Sequence, residues 1–224
     1  MIQEQENSVV PAKIIGQTIA EEIANAITHG IGAALSIAAL TSMVIVAAMG
    51  GDIWSIVSVS IYGATLVFLY LSSTLYHGIQ VKPAKEVFHV MDHIGISLLI
   101  AGTYTPILLV KMRTTEGWIF FGLIWGLALT AACIKSFFTN RFTYISTAIY
   151  IIMGWLSLFL INSMLEVLGV GGLAWIAAGG VSYTLGVIPF LWERIPFNHA
   201  IWHLFVIGGS VCHFMAILLY VLPA

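Results

Sequence analysis

A chain of 224 residues that is 60% hydrophobic and only 8% charged cannot be a water-soluble domain, in which about a quarter of the residues carry charge. Its mean hydropathy of +1.01 reads as an all-α integral membrane protein of the cell membrane, with lipids as its natural partners. A formal net charge of −2 and a pI near 6.4 leave no basic face for phosphate, which excludes nucleic acid.

In chain order, the opening "MIQEQENSVVPAKIIGQTIA" has acids ahead of its only base and no long apolar core, so it is expected to be retained rather than cleaved as a signal. Residues 1–27 form a cytoplasmic N-terminal segment, and 28–224 form the transmembrane domain. Within the first part, 15–28 has helical periodicity with Glu21, Glu22 and Asn25 on it, which suits an interfacial helix. A hydrocarbon core of about 30 Å needs roughly 20 apolar residues per helix. Punctuation by charge, Gly and Pro then predicts seven spans, at 28–49, 53–77, 87–110, 118–134, 143–163, 172–191 and 199–221. The softest break is "EVLGVGG" at 166–172. Lys13, Lys82, Lys85, Lys135, Arg141 and Arg194 fall on the N-terminal side, against Lys111 and Arg113 on the other. The positive-inside rule therefore predicts a cytoplasmic N-terminus and a C-terminus outside. No inverted internal repeat of the transporter kind is visible. Cys133 and Cys212 lie in apolar runs and read as small hydrophobes.

Seven spans give the polar residues depths. His77 closes the second span, Asp92 lies in the first turns of the third, and His199 and His203 open the seventh, so all four share a cytoplasmic-side layer. Positions i and i+4 lie about 40° apart around a helix and about 6 Å apart along it, so His199 and His203 can aim at one point. Two ordinary histidines explain such a pair in a soluble helix, but in a membrane span an ionisable group is costly and functional by default. With His77 the layer holds the three protein ligands of a catalytic zinc site. Three neutral imidazoles suit Zn2+, whereas magnesium or calcium wants more oxygen.

Asp92 either braces a ligand histidine or accepts a proton from water at the metal, and the second role is favoured. Ser73, one turn before His77, can bond that water or a substrate carbonyl, or its own helix. Glu22, Asn25 and His29 follow i, i+3, i+7 spacing and are candidates for the mouth of the site, or a hydrated helix face. His89 and His93 read as packed or interfacial. His213, about 15 Å beyond His203 along the helix, is too deep for the same ion and reads as hydrogen-bonded across helices.

The blocks "EEIANAITHG", "SSTLYH", "MDHIGISLLIAGTYTP" and "HAIWH", in that order from about residue 20 to the C-terminus, resemble the hemolysin III family, the bacterial branch of the progestin and adipoQ receptor group. The resemblance implies seven helices, a cytoplasmic N-terminus, and zinc held by His77, His199 and His203, with Asp92 positioning the water and Ser73 matching a further site position. Related receptors resemble ceramide-cleaving hydrolases, while bacterial members are linked to cytolysis or membrane energetics. Two functions are thus expected to compete: a zinc-dependent hydrolase of lipid amides, with Asp92 as base and Ser73 assisting, and a non-enzymatic cytolysin or sensor of membrane state with structural zinc. A retinal protein is excluded, because the seventh span has no lysine for a Schiff base.

Overall fold

The computed structural model describes residues 17–139, 141–192 and 194–222. Most of the expected N-terminal segment, 1–16, and the C-terminal residues 223–224 lie outside the described residues. Among the described residues every extended element is helical: α1 (Ile19–Gly50), α2 (Ile53–Gly78), α3 (Lys82–Pro106), α4 (Thr115–Phe137), α5 (Thr143–Trp155), α6 (Ile161–Leu191) and α7 (Asn198–Ala216). α3 and α7 run on into wider π-helical turns, Ile107–Lys111 and Ile217–Val221, and a 3-10 turn, Leu156–Leu160, joins α5 to α6.

Local signals set the starts. Thr18 and Glu21 form a reciprocal capping box at α1, which meets two of the N–H groups that a helix leaves free at its first turn. Asp52 caps α2 through Trp54 N and Ser55 N, and its hydrogen bond from the Ser55 hydroxyl holds the carboxyl below its ordinary range. The expected interfacial helix is continuous with the first span from Ile19 onward. At 32 residues α1 is about 48 Å long, more than a hydrocarbon core of about 30 Å needs. Ile19, Ile23, Ile27 and Ile31 make an exposed stripe along it, while Glu22, Asn25 and His29 on other faces are buried. Apolar side chains outward and polar ones inward is the arrangement that lipid requires.

Among the described residues, six helical stretches are long and apolar enough to cross a membrane. The sequence predicts seven spans, and the difference lies in Thr143–Leu191, which counts as one stretch of 49 residues. That stretch is not straight. Inside α6 the backbone of Gly169 leaves the helix at φ 67° and ψ 179°. A straight helix would separate Trp155 from Thr184 by about 43 Å, yet Trp155 Nε1 donates to Thr184 Oγ1 at 3.0 Å. The chain therefore folds back at Gly169, inside the soft break marked in the sequence.

α2 lies between α1 and α3, and α7 packs against both α1 and α6. Small residues allow this closeness, as is usual between membrane helices. A methyl group on Gly32 would lie 2.5 Å from Tyr70 Cδ1, and one on Gly95 would lie 2.9 Å from Leu69 Cδ1. Both contacts sit just beneath the polar layer, so they fix the spacing of the three helices that build it.

Gly169 is the position where the backbone itself demands glycine. Gly169→Ala is expected to cost about 1–3 kcal/mol, because a side chain at that φ and ψ is strained. Gly122→Ala, in open space within α4, is expected to be neutral or slightly stabilising. Thermal unfolding of the two variants in one detergent distinguishes them.

Candidate metal centre

α2 carries His77 in its last turn, and α7 presents His199 and His203 in its first two turns. The three side chains meet: their ligand-forming atoms all lie within 4.8 Å of one another. Ring centroids are 4.6 Å apart for His199 and His203, 5.2 Å for His77 and His199, and 5.4 Å for His77 and His203. This is the trio expected from the sequence.

The surrounding residues fix which nitrogen each ring offers. Glu22 Oε2 lies 2.7 Å from His77 Nδ1. A carboxylate only accepts, so Nδ1 carries the proton and Nε2 keeps its lone pair. That Nε2 is buried and has no hydrogen-bond partner. Thr28 Oγ1 donates to the carbonyls of Ala24 and Asn25, so its contact with His203 Nδ1 at 3.0 Å is one in which the ring N–H donates. With its proton on Nδ1, the His203 ring keeps a lone pair on Nε2. Such outer partners orient the ligands of metal sites, and here they are supplied by α1. Lys85 Nζ completes the group, 3.2 Å from Glu22 Oε1, while also donating to the Tyr76 carbonyl at 2.7 Å.

Glu22, Asn25 and His29, candidates for the mouth of the site, have closer roles than a mouth requires. Asn25 Nδ2 donates to Gln17 Oε1 at 2.6 Å and approaches His77 Nδ1 at 3.5 Å. The His29 ring stacks on His203 at 3.4 Å, nearly parallel, with Tyr70 edge-on at 5.0 Å. Asp92 is buried and lines, with His199 and His203, a cavity of about 330 Å³ whose wall is largely apolar. It stands outside the three-ligand set, as a neighbour of the site. Ser73 is fully buried; its hydroxyl faces the Asp92 carboxyl without a hydrogen bond of good geometry.

The remaining histidines sit where the sequence reading puts them. His89 and His93 bond to each other, Nε2 to Nε2, at 3.1 Å, and His89 stacks on Tyr76 at 4.7 Å. His213 Nε2 reaches across to the Ile176 carbonyl of α6 at 3.2 Å. Two contributors escape sequence reasoning. Thr28 carries no metal-site signature beyond standing beside His29, and Lys85 counts in the sequence only as a topological charge.

The fold and this polar layer define a multi-pass protein of the cell membrane with a buried histidine cluster. The haemolysin-III related family model matches residues 17–214. Hemolysin-3 of Bacillus cereus is 50% identical over 207 residues, covering 92% of this chain and 94% of that protein. The Hemolysin-3 homolog of Bacillus subtilis (strain 168) is 47% identical over 203 residues, covering 91% and 95%. Human monocyte to macrophage differentiation factor is 30% identical over 213 residues, covering 91% and 85%. No solved structure matches the chain. The chain belongs to the haemolysin III family.

The carboxylate shared by His77 and Lys85 should be costly to remove. Glu22→Gln leaves the Lys85 ammonium buried without an acid and is expected to destabilise by about 3–5 kcal/mol. Adding Lys85→Met should recover part of that loss, because it removes the stranded charge. Unfolding of the single and double variants tests this; equal losses would assign the cost to His77 alone.

Proposed function

We propose that this protein is a zinc-dependent hydrolase of acyl-amide lipids, with His77, His199 and His203 as the zinc ligands. The observation that carries the reading is the meeting of three imidazoles, two with Nδ1 bonded to α1 and a lone pair on Nε2, at the edge of an apolar cavity that also contains Asp92. Three nitrogen donors, with no fourth protein ligand among the described residues, is the donor set of catalytic zinc. Zinc bound there supplies Lewis-acid chemistry, acidifying water and polarising an acyl carbonyl.

The chain's own residues do the rest. Asp92 takes the proton of the attacking water and returns it to the leaving amine as the C–N bond breaks and the C–O bond forms. Ser73 offers a hydrogen bond from its hydroxyl to the acyl oxygen and keeps its proton. Glu22 and Thr28 hold His77 and His203 in the tautomer that leaves Nε2 for the metal. The apolar wall excludes water and takes the hydrocarbon chain.

The same reading has seven crossings, with the N-terminus in the cytoplasm and the C-terminus outside. The fold-back at Gly169 supports dividing Thr143–Leu191 into two crossings, and six basic residues against two support the orientation. The site then faces the cytoplasmic leaflet. A second reading, structural zinc in a cytolysin or membrane sensor, draws on the name Hemolysin-3 of the Bacillus cereus relative.

Purified protein is expected to hold about one zinc per chain, and His199→Ala or His203→Ala should remove most of it; full occupancy in both variants would sink the assignment. Asp92→Asn should keep zinc and lower turnover of a short-chain ceramide by roughly a hundredfold. If Asp92 instead braces a ligand, zinc affinity should fall by about tenfold to a hundredfold. Wild type that holds zinc yet cleaves no ceramide, phospholipid or acyl ester decides for the second reading.

A reporter fused after Ala224 is expected outside the cytoplasm, with an N-terminal tag inside. Both termini on one side would mean an even number of crossings.

A further inference from the structure

Two lysines are buried among the described residues, Lys85 and Lys135, and they differ in how their charge is met. Lys85 has the Glu22 carboxylate. Lys135, 4% exposed at the end of α4, has no carboxylate within ion-pairing distance among the described residues. Its ammonium donates to the carbonyls of Thr139 and Arg141, both at 3.2 Å, in the connection to α5. Two long bonds to neutral dipoles use two of its three protons and leave a full charge uncompensated, although burying a charge is favourable only when it is paired.

This lysine also lines the large cavity. So does Thr143, in the first turn of α5, where no side chain caps the N–H groups that a helix start leaves without an intrahelical partner. Ser146 and Thr147 line the same end, but both spend their protons on backbone carbonyls. The donors left there are the third Lys135 proton and the backbone of α5. Away from this end the wall is largely apolar, with Ile96, Ile100, Ile151 and Leu158, until it reaches Asp92, His199 and His203 at the metal centre. An apolar cavity with one unneutralised cationic end is complementary to an amphiphile with an anionic head.

We propose that this end of the cavity is a headgroup site for an acidic phospholipid, with the anion on Lys135 and an acyl chain along the apolar wall toward Asp92. The proposal rests on the cavity being a lipid site and is independent of zinc and of hydrolysis. It also fits the side of the membrane. Lys135 and Arg141 belong to the loop assigned to the cytoplasmic leaflet, whose negative lipids attract basic residues. A free soluble anion would not need 330 Å³ of apolar space behind it, a volume in the range of ligand pockets.

The test reconstitutes the full chain with equimolar phosphatidylglycerol and phosphatidylcholine and counts the lipid retained through purification by native mass spectrometry. Wild type should retain phosphatidylglycerol about fivefold over phosphatidylcholine, the scale of one lysine at an anionic surface. Lys135→Met should abolish the preference, Lys135→Arg should keep it, and Arg113→Met at the opposite end of the bundle should leave it unchanged. Oleate should compete, since it shares the anion and the chain, and inorganic phosphate should not. Equal retention of the two lipids by wild type overturns the proposal even if Lys135→Met fails to fold, and so does displacement by inorganic phosphate. The preference should survive removal of metal by a chelator, so a protein that neither holds zinc nor cleaves lipid would leave this inference standing.

Discussion

Glu22 is the point on which the polar interior turns. One carboxylate, contributed by α1, binds the His77 ring of α2 through one oxygen and the Lys85 ammonium of α3 through the other. In hydrocarbon an unmet polar group costs several kcal/mol, so each of the three residues would be a liability alone. Together they fasten three consecutive helices at one depth. The glycine contacts beneath, Gly32 on Tyr70 and Gly95 on Leu69, let the backbones come close enough for that arrangement. α7 then meets a surface already built, where Thr28 and the His29 ring receive His203.

Much of this was legible. Charge and glycine punctuation located the helices, and the i, i+4 spacing of His199 and His203 with a third histidine at the same depth located the cluster, because helical geometry turns spacing directly into direction. His213 was correctly set apart by axial rise alone. What stayed hidden depends on neighbours that are remote in sequence. Lys85 reads as a solvated loop charge until α3 is seen to begin at Lys82 and carry it inward. Thr28 reads as an unremarkable helix residue, since its contact with His203 spans 175 positions. Glu22 and Asn25 announce a polar face, but their spacing cannot say whether that face meets water or histidines. The division of Thr143–Leu191 was visible only as a weak glycine-rich break, because Gly169 sits between apolar runs with Glu166 as the single charge to mark it.

The cluster and the cavity divide the molecule unevenly. The α1, α2, α3 and α7 side holds nearly all the buried polar contacts, whereas α5 buries only Met153 along its length. The half rich in buried polar contacts thus carries the imidazoles, and the less embedded half forms the other wall of the space they face. Tyr104 of α3 links the two, accepting from Ser157 N at 2.8 Å and donating toward the Gly154 carbonyl at 2.7 Å.

The order in which the chain is made gives the Glu22 contact another meaning. Synthesis delivers α1, α2 and α3 first, and their three polar residues can satisfy one another as soon as residue 85 has entered the membrane. His199 and His203 arrive more than a hundred residues later. During that interval, which at about 5–20 residues per second lasts many seconds, His77 is held in its final tautomer with its outward nitrogen waiting. The early trio therefore acts as a template for biogenesis: α7 docks onto a preformed socket, and the histidine cluster is complete only once α7 has been made.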